Sequence, residues 1–178
     1  KKLAEERGSC PDAEEYGFKE RFSNKTAIAP TASISIICGG ASPGVEPFAA
    51  NSYTHKTLSG SYNVRNRYLK EILEKHGKND DETWSTITTN QGSVSHLDFL
   101  TDLEKDVFKT AFELDQKWIV ELGAERTPYV SQAQSINIFL PADVHKKELH
   151  QIHFQAWKKG LKSLYYCRSK SIQRAENI

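Results

Sequence analysis

The stretch SINIFLPADVHKKELHQIHFQAWKKGLKSLYYCR, residues 135–168, decides the fold class of this chain. Within its first six residues, Ile136, Ile138 and Leu140 recur at every second position and share one face of a predicted strand. Pro141 closes this strand, because proline cannot continue the backbone hydrogen-bond ladder. The pattern predicts a strand whose three apolar side chains share one face.

A helix is predicted next, over residues 143–159, and Gly160 ends it. Another strand-like run covers residues 161–168. A helical crossover of this length joins parallel strands, normally with a right-handed turn. The order strand, helix, strand places the chain in the α/β class. The side chains expected to face inward from the helix are Leu149, Ile152, Ala156 and Trp157.

Upstream of this unit, a long helix is predicted from about residue 103 to residue 122. Thr101 and Glu104 have the spacing of a capping box, and Gly123 is expected to stop the helix. One apolar stripe at steps of three and four residues is expected to face the core. Its members are Leu103, Val107, Ala111, Leu114, Trp118 and Leu122.

Two shorter helices are predicted closer to the N-terminus. Residues 66–76 have apolar side chains at helical spacing, and Gly77 ends the run. Residues 78–92 are polar around Trp84 and Ile87 and are expected to form a short helix in a surface insertion.

The N-terminal part is less regular. Residues 1–25 are polar and indicate a helix end followed by a loop. Residues 26–38 are β-branched and apolar, and they predict a strand that enters a turn at Pro30. A loop rich in glycine, serine and proline follows at residues 39–44.

The composition is that of an ordinary globular protein, with 26% charged and 38% hydrophobic residues among 178. The net charge of +1 produces no overall field that favours nucleic acid or an anionic membrane. No apolar run approaches the roughly 20 residues of a membrane span, and residues 1–10 lack the apolar core of an export signal. Three separated cysteines indicate a reduced, cytoplasmic protein. The absence of methionine and the charged start at Lys1 suggest a fragment, a split gene product or a processed piece.

Residues 30–35, Pro-Thr-Ala-Ser-Ile-Ser, are the first candidate site. Small residues let a backbone approach a ligand closely, and hydroxyl and free N–H groups can hold a phosphate. The stretch is neither a Walker loop nor a GxGxxG motif. The pattern leaves two interpretations open, a phosphate site and a simple turn at the end of a strand.

The adjacent pair Tyr165 and Tyr166 is the second candidate. Aromatic packing on a strand is one interpretation. The other is a redox pair, because a neutral phenol can give up an electron and a proton together. Neighbouring side chains on an ideal strand point to opposite faces, so direct contact between the rings requires a local departure from that geometry.

The histidines and cysteines carry weaker signals. Solvated or packed histidines are favoured over a metal site, because no HExxH pattern and no further ligands accompany them. Cys38 is expected to be a small core residue and Cys167 to pack, whereas Cys10 lies in a loop without a partner. The histidines in question are His145, His150 and His153.

Five strings together resemble the large subunit of class I ribonucleotide reductases, in the correct order along the chain. They are AIAPTAS at 27–33, SPGVEP at 42–47, YTHKTLSG at 53–60, QAQSINIFLPADV at 132–144 and KSLYYCRS at 162–169. The resemblance implies that residues 1–178 form a C-terminal segment of that family's ten-stranded α/β barrel. It also implies reduction of ribonucleoside diphosphates to 2′-deoxyribonucleoside diphosphates by radical chemistry.

The same resemblance assigns roles to both candidate sites. The loop is implied to hold the substrate diphosphate through Pro30, Thr31, Ala32, Ser33 and Ile34, with Ser35 less certain. Tyr165, nearer the active site, and Tyr166, nearer the subunit interface, are implied to relay the radical from a small, metal-containing subunit.

The family's finger-loop motif Asn-x-Cys-x-Glu, its substrate-reducing cysteine pair and its redox-active tail are absent from the chain. Implied partners are the remaining part of the large subunit and the small subunit. No cofactor is implied to bind directly, and thioredoxin or glutaredoxin is implied as the source of reducing equivalents. The chain alone is expected to be inactive.

Two alternatives remain open at this point. One is a non-catalytic remnant or assembly module of a split large subunit, because part of a barrel exposes strand edges and apolar faces. The other is a stand-alone phosphate-binding domain, which rests on the Pro30 loop only.

Overall fold

A computed structural model describes residues 1–58 and 60–169 of the chain. Its helices are α1 Lys2–Arg7, α2 Pro11–Glu15, α3 Ala32–Ile37, α4 Arg67–Lys75, α5 Asp81–Thr89, α6 Asp102–Val107, α7 Gln116–Arg126 and α8 Lys146–Lys158. Its strands are β1 Ser52–Thr57, β2 Gly60–Arg65, β3 Ile138–Leu140 and β4 Cys167–Ser169. Short 3-10 turns cover Ala111–Glu113 and Thr127–Tyr129.

The strand, helix, strand order predicted from residues 135–168 is confirmed, although the last strand begins at Cys167 and not at residue 161. β3 and β4 are parallel, with Ile138 opposite Cys167, and α8 connects them. On the other side of the β3 segment, Ile28 forms a parallel bridge with Gln134. Three chain segments therefore run side by side in one direction, and the segment 134–140 lies in the middle.

Helices α7 and α8 cover one face of this parallel unit. Gly123 does not stop α7 as predicted, because the helix continues to Arg126. A Cβ atom at Gly123 would lie 2.6 Å from Cδ1 of Ile136, so glycine permits the close approach of helix and strand. The shared core consists of Ile119, Val120, Ile136, Ile138, Leu140, Ile152 and Ala156.

Trp157 was predicted to face this core and is instead 73% exposed. Leu149, Ile152 and Ala156 follow steps of three and four residues and form the inward face of α8. Trp157 comes one residue later, which rotates its side chain away from that face.

The prediction of one long helix over residues 103–122 is wrong, because this range contains α6, a 3-10 turn and part of α7. The capping box of Thr101 and Glu104 starts α6 as expected, but α6 ends at Val107. Thr110 and Asp115 then cap a 3-10 turn and α7 in succession, so the helical register does not run through. As a result, most of the predicted apolar stripe is exposed, namely Leu103, Val107, Trp118 and Leu122.

A second core lies around α4 and α5. The helix predicted over residues 66–76 is confirmed, but the expected surface insertion at 78–92 is wrong, because Trp84 and Ile87 are buried. The β1–β2 hairpin is antiparallel and contacts α5. This core consists of Leu69, Leu73, Trp84, Ile87, Val94, Leu97, Leu100 and Phe108.

The described residues form an α/β arrangement without a closed barrel. Their two sheets are the antiparallel pair β1–β2 and the parallel pair β3–β4. Across residues 1–58 and 60–169, no helix is long and apolar enough to cross a bilayer.

Candidate functional site

The candidate phosphate loop lies at the start of a helix. Residues 26–38 were predicted to be a strand that turns at Pro30, but only Ile28 pairs as a strand, and α3 begins at Ala32. The backbone N–H groups in the first turn of a helix have no intrahelical acceptor. The N–H groups of Ala32, Ser33 and Ile34 therefore form the type of surface that binds anions.

Thr31 precedes α3 and anchors the loop. Its N–H and its Oγ1 both donate to the carbonyl oxygen of Pro43, each at 3.0 Å. Ser35 is buried, and its Oγ donates to the carbonyl oxygen of Ala32 at 2.8 Å. The Ser33 side chain remains exposed, so its hydroxyl, and not that of Ser35, faces solvent.

A cavity of about 370 Å³ borders the first turn of α3. Its lining includes Ala32 from α3 and also Arg65 and Arg67. A hydrogen bond to the hydroxyl of Tyr68 raises the pKa of the Arg67 guanidinium, which keeps this cation charged. The Arg67 guanidinium therefore adds positive charge beside the loop, whereas the Arg65 guanidinium is paired with Asp81 at 2.8 Å.

The SPGVEP loop connects the phosphate loop to β3 through a pair that the sequence did not indicate as functional. The carboxylate of Glu46 accepts hydrogen bonds from the backbone N–H of Asn137 and, at 3.2 Å, from its Nδ2. Glu46 is 4% exposed, although acidic residues are usually at the surface. The two residues are 91 positions apart in the chain, and no local spacing predicts such a contact. The pair is therefore visible only in the tertiary structure.

The two tyrosines lie immediately before β4 and contact each other. Their ring centroids are 4.1 Å apart, and their planes are tilted by 55°. The neighbouring hydroxyl of Tyr166 raises the pKa of Tyr165. The guanidinium of Arg168 lies 5.3 Å from the centroid of the Tyr166 ring. Both rings are about half exposed, so packing inside a core does not explain the pair.

The phosphate loop and the tyrosine pair flank the same strand segment. Ser135 donates its N–H to the carbonyl oxygen of Ile28 at 2.9 Å on one side. On the other side, Tyr165 donates to the carbonyl of Ile136, and Ile138 donates to the carbonyl of Tyr166, both at 2.8 Å. The two candidate sites thus belong to the two outer segments of one parallel unit, with the segment 134–140 between them.

The histidines on or near α8 take local partners. His145 caps α8 by accepting the N–H of Lys147, His150 stacks on Phe154, and Nδ1 of His153 contacts the carbonyl oxygen of Leu149. No group of three or more metal-binding side chains occurs among the residues that the structure describes.

The cysteine predictions need correction. Cys38 was expected in the core and Cys167 was expected to pack, but both are exposed. Cys38 terminates the short helix α3, whose apolar residues are mostly exposed, and Cys167 lies on the exposed strand β4. Cys10 is half-buried, and its N–H donates to the carbonyl oxygen of Glu20.

The family model described as the ribonucleotide reductase barrel domain matches residues 10–167. The chain belongs to this family, which confirms the resemblance and an α/β barrel-type fold.

The particular relatives are large, or alpha, subunits of ribonucleoside-diphosphate reductase. That of Invertebrate iridescent virus 6 is 52% identical over 176 residues, which cover 97% of this chain and 18% of the relative. That of Chlamydia trachomatis serovar D is 36% identical over 162 residues, covering 91% of this chain and 15% of the relative. The solved class Id ribonucleotide reductase alpha subunit of Actinobacillus ureae superposes with a TM-score of 0.79 at 36% identity, covering 99% of this chain and 32% of that one. The chain spans less than a third of the length of each.

Proposed function

We propose that this chain is the part of a ribonucleoside-diphosphate reductase that holds the substrate diphosphate and passes a radical towards the active site. The reaction is the reduction of ribonucleoside diphosphates to 2′-deoxyribonucleoside diphosphates. The observation that supports this proposal is that the segment leading into the helix start at Ala32 and the tyrosine pair bond to opposite edges of one strand segment, within a member of this family.

The diphosphate is held by Pro30, Thr31, Ala32, Ser33 and Ile34. The first-turn N–H groups donate to phosphate oxygens, and the exposed Ser33 hydroxyl adds a further donor. Thr31 takes part by holding the loop against Pro43.

The radical passes from Tyr166 to Tyr165. In this step the Tyr166 phenoxyl radical accepts one electron and one proton from the Tyr165 phenol, which becomes the new phenoxyl radical. The contact of the two rings supplies the path for the electron, and the proton passes between the phenol oxygens of the same two residues.

The remaining chemistry lies in partners. The remaining part of the large subunit contributes the active-site cysteines, and the metal-containing small subunit supplies the radical. Thioredoxin or glutaredoxin returns the reducing equivalents, no cofactor binds this chain directly, and the assembly works in the cytoplasm. Alone, this chain is inactive.

The test is deoxyribonucleotide formation by the chain combined with the rest of the large subunit and the small subunit. Tyr165→Phe and Tyr166→Phe are expected to abolish turnover while nucleoside diphosphate binding is retained, because phenylalanine keeps the ring and lacks the phenol proton. Tyr129→Phe is the matched control, since Tyr129 is exposed and distant in sequence from the pair. Full turnover in either Tyr165→Phe or Tyr166→Phe would contradict the relay.

The loop is tested separately with Ser33→Ala. This variant is expected to raise KM for the nucleoside diphosphate about tenfold and to leave kcat near the wild-type value, since one hydrogen bond to a charged group is worth about 1.5 kcal/mol. An unchanged KM would show that the Ser33 hydroxyl does not contact the diphosphate.

A second candidate function is a non-catalytic assembly module. The exposed side chains of Trp118 and Trp157, at 66% and 73%, favour a chain that packs against other protein. This function predicts that a complex forms with the rest of the large subunit and that no deoxyribonucleotide is produced, even with the small subunit present.

A further inference from the structure

The phosphate loop is attached to the middle strand segment at two places. Before the loop, the carbonyl oxygen of Ile28 accepts the N–H of Ser135. After the loop, Thr31 bonds to Pro43, and the chain continues through residues 44–46 to the side chain of Glu46, which reaches Asn137. A loop held at both ends against one strand has a defined distance from whatever lies on the other edge of that strand.

The other edge of that strand carries the tyrosines. Asn137 lies between Ile136 and Ile138, and the backbone groups of these two residues bond to Tyr165 and Tyr166. Movement of Asn137 along or out of the strand would therefore move the tyrosine backbone as well. Glu46 bonds to both the backbone and the side chain of Asn137, so it holds this residue at two atoms.

We infer that Glu46 and Asn137 form a positioning pair that sets the phosphate loop relative to the tyrosine pair. This inference rests on the proposed function. Neither residue touches the reacting atoms. The pair acts by keeping substrate binding and radical transfer in one fixed geometry, which a radical reaction between separately held groups requires.

The surroundings of the pair are shaped for this contact. A Cβ atom at Gly44 would lie 2.4 Å from Oε2 of Glu46, so glycine leaves the space that the carboxylate occupies. The hydroxyl of Ser42 donates to the carbonyl oxygen of Glu46, which holds the backbone of the same residue. A buried carboxylate is tolerated only with such hydrogen-bond donors, and both come from Asn137.

The decisive variants exchange the two functional groups. Asn137→Asp places a second carboxylate against Glu46 and replaces an attraction by a repulsion. Adding Glu46→Gln places a carboxylate at position 137 and an amide at position 46. The amide of residue 46 can then donate to the carboxylate of residue 137, which is the reverse of the native direction. The double variant keeps the size and the hydrogen-bond number of the native pair, so it separates loss of the contact from change of either residue alone.

In the assembled enzyme, Asn137→Asp is expected to raise KM for the nucleoside diphosphate and to lower kcat, each about tenfold, corresponding to about 1.4 kcal/mol. The double variant is expected to recover both parameters to within about twofold of wild type. A residue that serves stability alone would change the melting temperature and leave KM and kcat of the folded enzyme unchanged. Glu121→Gln is the matched control, because Glu121 bonds to Gln155 and Lys159 between α7 and α8.

Amide hydrogen exchange in the full chain provides a readout that does not require turnover. Asn137→Asp is expected to speed exchange about tenfold at both Thr31 and Tyr165, and the double variant is expected to reverse both changes. An inactive wild-type assembly would contradict the proposed function. The hydrogen-exchange measurement would then still show whether Glu46 and Asn137 hold the loop and the tyrosine pair in position. The inference is overturned if Asn137→Asp folds and changes neither the kinetics nor the exchange, or if the double variant is as impaired as the single one.

Discussion

The ring centroids of Tyr165 and Tyr166 lie 4.1 Å apart, although the two residues are consecutive in the chain. On an ideal strand, consecutive side chains point to opposite faces. β4 begins only at Cys167, so both tyrosines lie before the regular strand geometry is established. This departure brings the two rings into contact, which is the geometry that the proposed radical transfer requires.

The contact between the two tyrosines predicts a change in titration. Because the neighbouring Tyr166 hydroxyl raises the pKa of Tyr165, Tyr166→Phe is expected to lower the pKa of Tyr165 towards its ordinary value of 10. The measurement is the pH dependence of the ring carbon shift of Tyr165 by NMR. Tyr129→Phe serves as control and is expected to leave this titration unchanged. A Tyr165 pKa that does not fall in Tyr166→Phe would show that the hydroxyl groups do not interact.

Glu104 makes the stability of the chain depend on pH in the acidic range. Hydrogen bonds from Thr101 and from His76 lower the pKa of its carboxyl from 4.5 to about 2. The folded state therefore binds this proton less readily than the unfolded state, so the stabilisation is complete above about pH 4.5 and is lost as pH falls through about 2.

Glu104→Gln is expected to remove this contribution. The difference in melting temperature between wild type and variant should be largest above about pH 5. It should shrink as the pH is lowered towards about 2, because the wild-type carboxylate then becomes protonated. Thermal unfolding followed by circular dichroism across this range provides the check. A difference that stays constant with pH would mean that the carboxylate is not held in its charged form.

A larger side chain at Gly123 is expected to overpack the contact of α7 with the strand segment that contains Ile136. Gly123→Ala is expected to destabilise the fold by about 1–3 kcal/mol, because its Cβ would press on Cδ1 of Ile136. Ile136→Val removes that carbon and costs about 1 kcal/mol alone. The double variant should lose less than the sum of the single changes, as measured by denaturant unfolding. Strict additivity would show that the two atoms do not meet.

Asn51 is the centre of a buried polar network, and its removal is expected to lower the free energy of unfolding. Its Nδ2 donates to the carbonyl oxygens of Gly92 and Phe108, at 3.0 and 2.7 Å, and its Oδ1 accepts from Asn66. Asn51→Ala is expected to lower the free energy of unfolding by about 2 kcal/mol, because buried partners lose their hydrogen bonds. Asn63→Ala, on the exposed hairpin, is the control and should cost less than about 0.5 kcal/mol. Equal losses in the two variants would argue against a network at Asn51.

Local patterns in the sequence were sufficient for several elements. The capping box of Thr101 and Glu104 starts a helix as predicted, because both partners lie within one turn. The alternation of Ile136, Ile138 and Leu140 predicted the buried face of the central strand, and it is buried. Both candidate sites were also located from short strings, because their residue types are adjacent in the chain.

Other features were decided by tertiary structure. The apolar spacing that ends at Trp118 and Leu122 predicted a buried stripe, but the caps at Thr110 and Asp115 interrupt the helix and change its register. Trp84 and Ile87 lie among polar neighbours in sequence and are nevertheless buried, because the burial of a side chain depends on which elements pack over it.

The sequence by itself determined the strand, helix, strand order and the family resemblance, and it located the two candidate sites, because each rests on neighbouring residues. Only the tertiary structure decided that Ile28, Gln134 and the tyrosine strand lie side by side, and that Glu46 is buried against Asn137. The physical reason is that strand pairing and burial join residues far apart in the chain, and no local spacing encodes which distant partners will meet.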